Sequence, residues 1–159
     1  MGFAVGVGKL EEIASEMAGW SVDQILDEFE ARGLREAHDV ISTTRTAAAK
    51  YGLKLLAYES GQHMVAMTSD RKLNDRLSEL MIQANRSARM GAIYERYYDA
   101  WAAAGGDLLN VFASVGRWSV HGCWGLAEYF DQSPADIPKY AATLRWARKA
   151  GQPVADPGR

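Results

Sequence analysis

Apolar residues recur at helical spacing through most of the chain. Val22, Ile25, Leu26 and Phe29 fall on one face of a helix opening at Ser21, where Gln24 three residues later completes a capping-box pattern. Gly33 is a break point, after which Leu34, Ala37, Val40, Ile41, Thr44 and Ala48 continue the period to Tyr51, and Gly52 supplies a C-terminal stop. Residues 53–58, LKLLAY, form a short and nearly continuous apolar run that reads as a strand. A polar loop over 64–72 follows. Leu73, Leu77, Leu80, Met81 and Ala84 then mark another amphipathic helix, interrupted at 85–88. Met90, Ile93, Tyr94, Tyr97, Trp101 and Ala104 form a further stripe ended by Gly105 and Gly106, an aromatic row that reads as core packing rather than a cofactor box. Residues 108–114, LLNVFAS, are the second strand candidate. The loop GRWSVHGCWG, too rich in glycine and tryptophan for a spacer, leads towards a closing helix at 138–150, stopped by Gly151.

The order strand, long helical crossover, strand predicts a parallel pair, because parallel neighbours need a connection that returns the chain to the same end. Both strands are nearly continuous apolar runs, as expected when each face is covered. Two short strands are too narrow a sheet to carry helices on both faces and leave both edges open. The chain therefore reads as part of a larger sheet, and self-association through exposed sheet edges is expected.

Composition narrows the classes. The chain has 159 residues, 48% hydrophobic and 24% charged, which is the balance of one ordinary globular domain. A formal net charge of -2, with both signs interspersed, gives no footprint for nucleic acid or an anionic membrane, and nothing reads as a transmembrane span. The opening MGFAVGVGKL has no basic residue before its apolar run and no cleavage pattern after it, so it is not read as a signal peptide. Cys123 is the single cysteine, which rules out an internal disulfide and leaves the compartment open. His38, His63 and His121 show no zinc-site spacing, so no metal and no cofactor are expected.

Chemistry concentrates where the first strand ends, in ESGQH at 59–63. From the residues alone Glu59 reads as a turn cap or as a partner of Arg89 or Arg117, and His63 and His121 as satisfied loop histidines. Cys123 reads as a small buried residue, and Asp23, Asp27, Glu28 and Glu30 as solvated helix surface. Glu128 and Asp131 follow the second strand, where they could supply a second carboxyl, but they read as a short helix leading away from the site.

The pattern LKLLAYESGQH, then ANRSARMGAIYERYYDAWAAAGG, DLLNVFASVGRWSVHGCWGLAEYFDQ and a late PKYAATLRW, resembles the C-terminal part of clan A glycoside hydrolases with a (β/α)₈ barrel, cellulase-like or uncharacterised bacterial relatives. The resemblance covers roughly residues 21–146. It implies an α/β fold, the C-terminal portion of a TIM barrel, mostly helical with two parallel strands. The expected organisation is a loose N-terminal segment at 1–20, the partial barrel at 21–151 and a tail at 152–159. The resemblance also implies a retaining hydrolase of O-glycosidic bonds in a polysaccharide or oligosaccharide, with Glu59 as nucleophile and Trp118 or Trp124 as the aromatic platform. Gln62 and His63, with Arg117 or His121, would bind hydroxyls of the carbohydrate substrate. The acid/base glutamate of that family ends its fourth strand, and this chain holds no region corresponding to it, so the chain by itself is expected to be inactive. The alternative expectation is a non-catalytic carbohydrate-binding or interaction protein.

Overall fold

The structure, a computed structural model, describes residues 2–3 and 7–155, with side-chain surroundings from residue 12 onward. The element order is β1 (Gly2–Phe3), α1 (Val7–Met17), α2 (Val22–Glu28), a π-helical turn (Phe29–Gly33), α3 (Leu34–Ala49), β2 (Leu56–Gln62), α4 (Arg71–Arg86), α5 (Ala88–Ala103), β3 (Leu108–Val111), a 3₁₀ turn (Pro134–Asp136) and α6 (Pro138–Lys149).

Local chemistry sets the helix boundaries. The Gln24 backbone N–H donates to Ser21 Oγ at 3.2 Å while Ser21 N–H donates to Gln24 Oε1 at 2.8 Å, so the predicted capping box forms. Gly33 does not break the chain there. The backbone passes through one π-helical turn straight into α3, whose Leu34, Ala37 and Ile41 are buried. Asp70 caps α4, accepting from Lys72 N and Leu73 N, and Ser87 separates α4 from α5. The expected aromatic row is core: Met90, Ile93, Tyr94, Tyr97, Tyr98 and Trp101 are all buried in the main apolar cluster.

β2 pairs parallel with β3, as the crossover predicted, and β1 adds a third parallel strand on the other side of β2. The segment expected to be loose at 1–20 thus contains a two-residue strand and the 11-residue α1. Of the expected tail, 152–155 form no regular element and 156–159 lie outside the described residues. The fold is mixed α/β and mostly helical. The register of β2 and β3 is fixed at their start, where Leu55 N–H donates to Asp107 Oδ2 at 3.0 Å and Asp107 N–H donates to Leu55 O at 2.9 Å.

Helices cover one face of this pair. Leu55 and Ala57 are buried in the core cluster and Leu109 and Val111 pack against it. Leu56, Tyr58, Leu108 and Phe112 point the other way, Tyr58 being 85% exposed. No helix among the described residues is long and apolar enough to cross a membrane.

Two charged groups fall elsewhere than the sequence suggests. Arg89 pairs with carboxylates of the helices. It lies against α2 and the π turn, bonding Glu30 Oε1 at 2.7 Å and also Asp27, so this acidic face holds the helices together rather than facing only water. Its guanidinium is held more basic than usual, chiefly by the hydrogen bond to Glu30. Glu128 sits in a turn, not on a helix. It is buried and takes a fork of hydrogen bonds from Arg86, the shortest at 2.7 Å, so it is committed to structure.

Candidate functional site

The site is built on an irregularity in β2. Ala57 stands opposite Leu109 and Ser60 opposite Val111, so Tyr58 and Glu59 together face the single residue Asn110. This is a β-bulge, and it breaks the alternation of the strand. In an unbroken strand Tyr58 and Glu59 would point to opposite faces. Here both are exposed, while Ser60, Gly61 and Gln62 turn inward. Ser60 secures the bulge by donating from Oγ to Asn110 O at 2.7 Å, and its carbonyl accepts from Phe112 N–H at 2.9 Å.

Gly61 follows with φ of 125°, a conformation that L side chains rarely adopt. A Cβ there would lie 3.2 Å from the hydroxyl of Tyr94, which accepts a hydrogen bond from Gln62 N–H at 3.1 Å. Tyr94 is fully buried, and desolvation keeps its phenol protonated well above the ordinary range.

Gln62 ties this strand end to the tryptophan loop. Its Nε2 donates to Cys123 O at 2.6 Å and its Oε1 accepts from Met64 N–H at 2.7 Å. The Lys139 ammonium, fully buried on α6, donates to the same Cys123 carbonyl at 2.7 Å and lies 4.3 Å from the centre of the Trp118 ring. Burial lowers the Lys139 pKa to about 7, opposed by the nearby Cys123 and Glu128. Burial likewise pushes the Cys123 thiol up to about 11, as suits a small packed residue rather than a nucleophile.

These contacts hold Trp124 in place. Its Nε1–H donates to His121 O at 2.7 Å, and the His63 imidazole meets its ring edge-on, 4.6 Å between centroids. The resulting cavity, about 210 Å³, is lined by Tyr58, Glu59, His63, Phe112 and Trp124 above a floor of Ser60, Gly61 and Gln62.

Of the residues singled out in the sequence, Glu59, Gln62, His63 and Trp124 meet in this cavity. Gln62 is nearly inaccessible and bonds within the protein, so it shapes the floor. His121 lies beyond the Trp124 wall in an adjoining cleft, and Arg117 is exposed and lines neither space. Trp118 is not a platform: it is buried, its Nε1–H donating to Gly125 O at 3.0 Å. Tyr58, Phe112 and Lys139 were not anticipated. Only Lys139 left a signal, standing three residues before Ala142 on what becomes the buried stripe of α6.

Chemically, the cavity offers, among the described residues, one carboxylate, one imidazole and three aromatic side chains on the open side of a parallel sheet. Among the described residues no group of His, Cys, Asp or Glu is placed to hold a metal ion. No protein-family model matches the chain, and no curated protein or solved structure matches it either.

Proposed function

We propose that the chain carries the nucleophile side of a retaining glycoside hydrolase site, with Glu59 as the nucleophile and Trp124 as the ring-binding wall. The observation that supports this reading is the bulge that turns Glu59 out beside Trp124 towards the C-terminal ends of parallel strands. That is where barrel enzymes of the β/α type gather their chemistry. In the proposed step a Glu59 carboxylate oxygen forms a bond to the anomeric carbon. The bond from that carbon to the leaving oxygen breaks, and its electron pair departs with the oxygen. A natural leaving group needs a proton from a second carboxylic acid about 5–5.5 Å away. The sheet's open face, with Leu56, Tyr58, Leu108 and Phe112 exposed, supports the proposal that further βα units cover it and bring that acid.

One observation favours a second reading, in which the chain binds carbohydrate without cleaving it: among the described residues Glu59 is the single carboxylate lining this cavity. Paired substitutions separate the two residues' roles. Glu59→Gln keeps shape and should leave oligosaccharide affinity within about twofold, whereas Trp124→Ala should weaken it about tenfold or more by removing the stacking surface. Equal loss in both, or no binding by the parent chain, would remove the proposal.

A further inference from the structure

The second space beyond the His63–Trp124 pair is larger than the cavity at Glu59. It measures about 880 Å³ and lies between the loop after β2, the start of α4 and the tryptophan loop. That volume is within the range of about 300–1,000 Å³ typical of small-molecule sites, and the Glu59 cavity falls below it. His63 and Trp124 belong to both linings, so the two spaces adjoin across one pair of rings.

Both walls are fixed by hydrogen bonds within the protein. On one side the Trp124 indole is held through His121 O, and the neighbouring Cys123 carbonyl is held by Gln62 and Lys139. On the other, Asn74 pins the loop, accepting at Oδ1 from Thr68 N–H at 2.8 Å and donating from Nδ2 to Thr68 O at 2.9 Å. Such preorganisation lowers the ordering cost of binding.

The lining is amphipathic and nearly balanced in charge. Met67 and Val120 expose apolar surface beside Trp124. Arg71 donates only and Asp75 accepts only, while the imidazoles of His63 and His121 can do either. One cationic and one acidic side chain favour neither a phosphate nor a cation. They suit a neutral ligand that presents hydroxyls at its edge and C–H groups on its face.

We propose that this cleft is a second sugar-binding subsite, so that the ligand is an oligosaccharide laid across the His63–Trp124 pair, with one unit at Glu59 and the rest between Met67, Asp75 and His121. This rests on the carbohydrate reading of Glu59 and extends it from a single ring to a chain of sugars.

Titration of the chain with glucose, mannose, xylose and their oligosaccharides up to the pentasaccharide, followed by calorimetry and by the Trp124 indole N–H resonance, tests it. The best-fitting series should gain about tenfold or more in affinity from monosaccharide to trisaccharide. The double variant Asp75→Ala/His121→Ala changes two exposed side chains and keeps the His121 carbonyl. It should return trisaccharide affinity to within about twofold of the monosaccharide, leaving monosaccharide binding and the unfolding midpoint unchanged. If monosaccharides bind but longer chains bind no tighter, or the double variant binds them as well as the parent, the subsite is refuted while the reading of Glu59 stands. If no sugar of any length binds, the carbohydrate reading itself fails and the subsite with it.

Discussion

Gln62 donates a 2.6 Å hydrogen bond from its side chain to the backbone carbonyl of Cys123, joining the end of β2 to the loop that carries Trp124. The same side chain accepts from Met64 N–H, so one amide fixes both spaces beside the His63–Trp124 pair. Gln62→Leu removes both bonds and strands a buried N–H, which costs about 1–3 kcal/mol. The urea midpoint should fall accordingly, and the Trp124 indole N–H resonance should broaden or shift. An unchanged midpoint with an unchanged indole signal would show that Gln62 is not the clamp.

Lys139 gives the protein a pH dependence of known sign. Its folded-state pKa is lowered by burial to about 7, whereas an unfolded lysine titrates near 10.4. Between those values the unfolded chain binds more protons, so the lysine's penalty is full below about pH 7 and is relieved as pH rises. The gain is roughly 1–2 kcal/mol from about pH 7 to 8.5. Above that, Cys123 and Tyr94 act in the opposite direction, since burial raises both and the unfolded chain deprotonates first. Lys139→Met keeps the length, removes the charge and leaves Gln62 on the Cys123 carbonyl. Denaturant midpoints should rise with pH in the parent and stay flatter in the variant, the two curves converging as pH increases. Parallel curves would contradict a buried, titrating Lys139.

Gly61 is required for its conformation as much as for its size. Gly61→Ala places a methyl 3.2 Å from Tyr94 Oη at φ of 125° and should cost more than about 1 kcal/mol. Adding Tyr94→Phe relieves the contact but not the dihedral, so the double variant should not recover parental stability. Full recovery would show that crowding alone accounts for the cost.

The parts visible in the sequence are those governed by short-range pattern. The Ser21 capping box, the buried Tyr94–Tyr97–Trp101 stripe and the stops at Gly52 and Gly105 follow from periodicity and backbone chemistry within a few residues. The parallel pairing followed from the helical crossover. The bulge at Tyr58 and Glu59 could not be read, because it depends on where Asn110 stands on a partner strand far along the chain. For the same reason Trp118 and Trp124 looked equivalent. What separates them is Lys139, which covers Trp118 from α6 and leaves the cavity to Trp124. Glu128 and Arg89 were misplaced because their partners, Arg86 and the Glu30 cluster, come from elements distant in sequence.

Whether Glu59 acts as a nucleophile can be asked without a second carboxylic acid. A fluorosugar with a dinitrophenolate leaving group needs no protonation to depart, and its fluorine slows release of the glycosyl ester. The chain should be incubated with activated fluorosugars of the gluco, manno and xylo series, then weighed intact and mapped by peptide mass spectrometry. The predicted result is a single sugar adduct on the peptide containing Glu59, lost in Glu59→Gln and retained in Asp75→Ala. No adduct with any of the three series, or an adduct that persists in Glu59→Gln, would contradict Glu59 as the nucleophile.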